Sequence, residues 1–196
     1  MDDLEFDSRF EPESTGTATS VATVEKTRLS FNMATRNAFF KQISAQLSRR
    51  LPDDLREFSA RPYFNIMKIV YANERVHYEI AFDIHRRTLE IALHFEDGPV
   101  STLAYLAYFD KRILELKHML GHQIELERWT VSWGRIYELW PFDNLDKPSA
   151  ERVAARLAEY VETLQPLLNE CGILPERSAQ PAGPPRERWR RKSSGG

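Results

Sequence analysis

The chain holds one cysteine, Cys171, in 196 residues. That excludes an internal disulfide and a Cys-rich metal site. A lone thiol beside Gly172 with no histidine near it in sequence reads as a small apolar residue. The usage fits a reducing compartment, and a cytoplasmic protein is the expectation. Long apolar runs are also missing: none reaches the roughly 18 residues of a membrane-spanning helix. The first residues are acidic and lack the apolar centre of a secretory leader, so none is expected. No Gly-x-Gly-x-x-Gly and no Gly-x-x-x-x-Gly-Lys-Ser/Thr occurs, which leaves nucleotide-phosphate loops unsupported. A Gly-x-Ser-x-Gly elbow is absent too.

Charge of either sign is in short surplus. The net charge is −2, so bulk electrostatics favours neither nucleic acid nor membrane. Its distribution is uneven. Residues 1–26 carry seven acidic groups against Arg9 and Lys26, and residues 176–196 carry six basic groups against Glu176 and Glu187. Both ends are poor in large apolar residues and are expected not to fold alone. The expected division is a disordered acidic arm over 1–30, a single domain over 31–175 and a disordered basic tail over 176–196.

What the sequence does have is period. His77–Ile84 and Leu89–Glu96 alternate apolar and polar, the signature of strands with one face on a core. Tyr63–Tyr71 reads as a strand before them. Gln123–Trp129 and Val131–Trp140 read as a second hairpin. Phe39, Phe40, Ile43, Leu47 and Leu51 recur at helical spacing, which predicts a helix over Ala34–Leu51, with Asn32 as its cap and Pro52 as its stop. A short helical turn is expected over Asp53–Phe58. A helix over Ser101–Leu120 is predicted with Leu103, Leu106, Ala107, Ile113, Leu116 and Leu120 inward, ended by Gly121. A last helix runs from Pro148 to Asn169, kinked or frayed at Pro166. The order is α-β-β-β-α-β-β-α. It argues for an α+β fold whose antiparallel sheet is covered by helices on one face. Pairing Ile84 with Leu89 would set Tyr78 opposite Phe95 and Glu79 opposite His94.

Arg61-Pro62 followed by Phe64-Asn-Ile66, the strand Leu89–Glu96, and Lys111-x-Ile113 leading into Leu120-Gly-His-Gln-Ile124-Glu-Leu-Glu127 together resemble one known domain. Arg135-Ile136-Tyr137 continues the likeness. It is similar to a bacterial domain of unknown function that often sits C-terminal to a restriction-type nuclease domain, and the likeness covers about Phe39 to Leu168. The resemblance implies a companion domain of DNA-processing or defence proteins and carries over no catalytic residue. In element order the chain also looks like type III secretion chaperones, which hold a partner's unfolded segment; fold alone does not imply that function.

Several groups of residues are candidates for chemistry. His77, Glu79, Asp83, Glu90, His94 and Glu96 share one sheet face and have the side chains of a metal or acid–base site, yet alternating charge on a solvated face is the commoner meaning. A magnesium nuclease would want Glu-x-Lys on a strand; Ala92 stands where that Lys is needed, Glu115-Leu-Lys117 lies on a helix, and Asp83 is left alone. His94-Phe-Glu96 lacks the Pro-Cys-x-x-Cys of zinc deaminases. No catalytic residue, metal or cofactor is therefore expected. Trp129, Trp133, Arg135, Tyr137 and Trp140 cluster on the second hairpin, where they form either a partner surface or a face covered by the last helix. In the tail, Arg186, Arg188, Arg190, Arg191 and Lys192 surround Trp189. Such a segment grips phosphates while the indole stacks, or serves as a solubilising end, or reaches the acidic arm.

The leading expectation is a non-catalytic adaptor of a nucleic-acid-processing or defence assembly. It would dock on a larger protein, with DNA or RNA met through the tail and a homodimer formed through the sheet. A metal-dependent nuclease subunit and a chaperone-like holder are the alternatives.

Overall fold

The computed structural model describes residues 33–142 and 144–174. The acidic arm, the Asn32 cap and the basic tail lie outside the described residues. The elements run α1 (Met33–Arg50), a 3-10 turn (Asp53–Leu55), β1 (Ser59–Tyr63), β2 (Ile66–Val70), β3 (Val76–Asp83) and β4 (Thr88–Phe95), then α2 (Pro99–Asp110), α3 (Ile113–Leu120), β5 (Glu125–Arg128), β6 (Gly134–Pro141) and α4 (Lys147–Glu170). The six strands form one antiparallel sheet in the order β1-β2-β3-β4-β6-β5. The fold is α+β, with the helices packed on the sheet.

Alternation decides which face the helices take. Tyr78, Ile80 and Phe82 of β3 and Leu89, Ile91, Leu93 and Phe95 of β4 are all buried on that face. Phe82 meets Phe39 and Phe40 of α1 at 5.7 and 5.3 Å between ring centres. Phe95 stacks on Tyr105 and Phe109 of α2 at 5.0 and 5.5 Å. The Tyr78 hydroxyl donates to Gln165 of α4. Asp146 caps α4 by accepting from the Ser149 amide at 2.8 Å, and Pro148 in the first turn gives up a donor that has no helical acceptor there. The helix continues through Pro166 to Glu170, within one residue of the expected end, with Leu167 and Leu168 packed on the core beyond.

Four expectations need correction. Residues before Tyr71 form a hairpin of two strands, β1 and β2, that turns at Phe64-Asn65 with Phe64 in the left-handed region (φ 48°). A turn without glycine gave no breaker signal. The β3–β4 register pairs His77 with His94, Tyr78 with Leu93 and Phe82 with Leu89, two residues from the expected pairing. The loop closes over Ile84 to Arg87, and Arg87 takes the positive φ (53°). A slip of two keeps every side chain on its face. The 101–120 helix is two helices broken at Lys111-Arg112, where the guanidinium stacks 4.0 Å over Tyr108 and donates to its carbonyl. Finally, the inward stripe of α2 is Ser101, Thr102, Tyr105 and Phe109, whereas Leu103 and Ala107 are exposed. Two hydroxyls tolerate burial because Ser101 donates to the Asp97 carbonyl at 2.5 Å and Thr102 to the Ser132 carbonyl at 2.7 Å.

One charged pair sits on the helix side of the sheet. Glu138 of β6 is fully buried, and Arg156 of α4 grips it at 2.5 and 3.1 Å. Arg156 also donates to the Leu120 carbonyl at the end of α3 and to Glu159 at 2.6 Å. One side chain therefore ties α4, β6 and α3 together. Burial would lower the Arg156 pKa, but the carboxylates of Glu138 and Glu159 outweigh it and raise it. Removing one partner of such a pair strands a buried charge. Arg156→Ala should lower the unfolding free energy by about 3–5 kcal/mol in urea melts, and adding Glu138→Leu to Arg156→Met should restore most of it.

Candidate functional site

The opposite face of the sheet is the chemically loaded one. Antiparallel pairing lines up four residues across four strands: Glu127 of β5 faces Arg135 of β6, Arg135 faces His94 of β4, and His94 faces His77 of β3. The next row sets Lys68 of β2 beside Glu79, and period two adds Glu90 on β4 and Glu96 just past its end. All of these project from the side that α1 to α4 leave alone.

Sequence reading expected this face to be solvated. The structure overturns that: His77, His94 and Glu79 are only 1, 2 and 6% exposed. The imidazoles of His77 and His94 stack nearly parallel at 5.6 Å. The Trp129 ring stands edge-on to His94 at 6.2 Å. Arg135 lies 4.8 Å over Trp129 and 4.0 Å over Tyr137. Large side chains packed on one another occupy the space assigned to water. The carboxylates, which showed no common focus in sequence, converge. Glu79 and Glu90 reach the same His94 nitrogen at 3.9 and 3.0 Å, and Glu96 reaches its other nitrogen at 3.8 Å.

Charge on the face is unbalanced. Lys68 pairs with Glu96 at 3.2 Å and approaches Glu79 at 3.9 Å. Arg135 pairs with Glu90 at 2.6 Å and Glu127 at 2.7 Å. Among the described residues four carboxylates thus share two obligate cations. Burial pushes the Glu79 carboxyl up, but the hydrogen bond from His77 and the charges of His94, His77 and Lys68 outweigh it, and the pKa falls below the ordinary 4.5. Burial would lower the Arg135 pKa; Glu127 and Glu90 raise it instead.

The aromatic residues divide. Trp129 and Trp133 stand 5.8 Å apart at the β5–β6 turn and are 50 and 41% exposed, with Val131 between them at 67%. The turn is held by the Trp129 and Thr130 amides, which both donate to the Trp133 carbonyl at 3.0 Å. Arg128 donates to the carbonyls of Thr130 and Val131. Arg135 and Tyr137 are half-buried on the same face, and Leu139 beyond them is exposed. Trp140 does not join them. It lies on the helix side with Ile136 and packs against the core. Arg186, Arg188, Trp189, Arg190, Arg191 and Lys192 fall outside the described residues. Asp83 is spent on its own turn, accepting from the amides of His85 and Arg86.

Sequence reasoning missed Lys68, Glu138 and Arg156. Two signals were available: Glu138 sits at core parity between Ile136 and Trp140, and Arg156 interrupts the apolar stripe of α4 between Val153 and Tyr160. A groove of about 660 Å³ between α1 and β1 is lined by Phe40, Phe58, Pro62 and Met67, with Lys41 and Arg56 among its polar residues and no histidine or carboxylate. Among the described residues no helix is long and apolar enough to cross a membrane. Comparison of the chain with protein-family models and with curated proteins finds no match.

A lowered carboxylate pKa stabilises the fold above the unfolded value, and that stability is lost as pH falls through the folded value. Glu79 should therefore contribute fully above its ordinary 4.5 and progressively less below it. Urea midpoints taken from about pH 7 to about pH 3 should fall less steeply for Glu79→Gln than for the unaltered chain.

Proposed function

We propose that the chain is a non-catalytic binding module that docks a larger protein on the helix-free end of its sheet. The observation that carries this reading is the exposed, rigid aromatic turn formed by Trp129, Val131 and Trp133, backed by Arg135 and Tyr137. Tryptophan, tyrosine and arginine dominate interface hot spots, because their large surfaces are desolvated together. The turn's backbone is pinned by hydrogen bonds and the Trp129 ring already packs on His94, Trp133 and Arg135, which reduces the conformational entropy lost on docking. The sheet edges are less suited to partners. Pro62 removes a donor from β1, and β5 is four residues long, so a homodimer formed by strand addition has poor edges to use.

The likeness to companion domains of restriction-type nucleases, together with the basic segment 186–192, supports a partner from a nucleic-acid-processing or defence assembly. In that setting the tail would contact the nucleic acid while the aromatic turn holds the protein. The histidine–carboxylate face is compatible with this reading and does not require catalysis.

The test is a pull-down of the tagged full chain from its own cells, with and without nuclease treatment. A stoichiometric protein that survives the treatment is the expected result. Trp133→Ala should then weaken that complex about 30-fold or more, the roughly 2 kcal/mol of a hot spot, while the melting temperature stays within a few degrees. Recovery of nucleic acid alone, lost on changing Arg188, Arg190 and Arg191 to alanine, would put the tail in place of the turn and defeat the reading.

A further inference from the structure

The two buried histidines pose a problem of lone pairs. His77 Nδ1 lies 2.9 Å from the Glu74 carbonyl, so Nδ1 carries the proton and donates. Its Nε2 then bears a lone pair in the neutral ring. That nitrogen faces Glu79 Oε2 at 3.4 Å and hydrogen-bonds to it only when it carries a proton of its own; without one it meets another acceptor. His94 repeats the conflict with the nitrogens exchanged. Its Nε2 lies 3.0 Å from Glu90 Oε1 and is the donor. Its Nδ1 is buried, has no hydrogen-bond partner, and points at Glu96 Oε1 3.8 Å away. In the neutral rings two buried imidazole lone pairs thus meet two carboxylates, on a face that among the described residues already has more carboxylates than cations. Such an arrangement costs energy unless something positive lies between the acceptors.

We propose that His77, His94 and Glu96, with Glu79 beside them, form a binding site for a divalent transition-metal ion, best matched by Zn²⁺. One donor atom from each of His77, His94 and Glu96 lies within 4.8 Å of the others, and the same holds for Glu79, Glu90 and His94. Zinc bonds of about 2.0–2.2 Å require the donors to close in by roughly 1 Å or more, and Glu96 is the least buried of the three side chains that must adjust. Two imidazoles and carboxylate oxygens suit zinc and its neighbours, whereas Mg²⁺ prefers oxygen donors alone. The outer shell is present: the Glu74 carbonyl fixes the tautomer of His77, Glu90 fixes that of His94, and Lys68 orients Glu96 at 3.2 Å. The site does not depend on partner docking at the aromatic turn.

The experiment uses the full chain, stripped with a chelator and dialysed. Titration with Zn²⁺ alone should show about one equivalent bound and a higher melting temperature, and Mg²⁺ should show neither. Of the five histidines, only His77 and His94 should shift their imidazole nitrogen resonances on zinc addition. That readout needs no variant, so it stands even if His94→Gln fails to fold. Glu96→Gln should weaken zinc by roughly ten-fold or more, while Glu127→Gln, on the same face but not a ligand, should leave it unchanged. No uptake would mean that protons alone answer the lone pairs, and would overturn the proposal. Uptake that moves only His85, His118 or His122, or that ignores Glu96→Gln, would overturn it as well.

Discussion

Strand β4 has to satisfy two different environments at once. Thr88–Phe95 is hydrogen-bonded on both sides, to β3 and to β6, so it has no edge at which to shed a misfit. Leu89, Ile91, Leu93 and Phe95 must meet the helices, and Glu90 and His94 must meet whatever lies opposite. Strict period two makes both sets of contacts conditional on one register. A slip of one residue would drive two carboxylates and an imidazole into the Phe39–Phe82–Phe95 core. Phe95 against α2 and the contacts of Glu90 and His94 on the polar face sit on this strand itself, and its two neighbours take their register from it.

The two faces are built on opposite principles. The helix side is a close-packed aromatic and aliphatic core with one buried pair, Glu138 and Arg156, that fixes how α4 lies on β6 and where α3 ends. Such a pair adds little net stability compared with apolar residues of the same volume; it does make every other placement of α4 worse, because each alternative strands a charge. The opposite side is nearly all ionic and aromatic. Its side chains hold one another: Arg135 joins Glu90 to Glu127 and stacks on Trp129 and Tyr137, and Trp129 leans on His94. The exposed turn and the buried histidines are therefore one packed unit, linked through a single guanidinium.

Alternation made the strands, their faces and the α+β class legible. It told less about what depends on neighbours distant in sequence. The first hairpin went unread because Phe64-Asn65 turns without glycine, and Phe64 holds a positive φ that composition cannot announce. The break at Lys111-Arg112 was invisible for a different reason. Tyr105, Phe109, Leu116 and Leu120 stay in helical phase across it, so one long helix and two short ones share a pattern. Burial of His77, Glu79 and His94 was the largest surprise. Period two says that these side chains share a face; it cannot say whether that face is wet. Among the described residues, Lys68, Trp129 and Arg135 contact the cluster from β2, the β5–β6 turn and β6, and none of them is adjacent in sequence to the histidines.

Stability by itself does not account for such a face. An isolated sheet surface is served well enough by threonines and exposed lysine–glutamate pairs, which need no desolvation. Here, among the described residues, Glu79 and two imidazoles are held away from water on a face with fewer permanent cations than carboxylates, and the buried Nδ1 of His94 has no hydrogen-bond partner. Apolar residues of similar volume would commonly do as well or better in folding free energy. Polar groups kept under those conditions are usually kept for what they bind or position. The same reasoning does not extend to Glu138 and Arg156. There one guanidinium engages both carboxylate oxygens of Glu138, and what the pair does is place α4. The contrast between opposite charges that meet directly on one side of β6 and a histidine–carboxylate cluster with an unpartnered imidazole nitrogen on the other separates architecture from site in this fold.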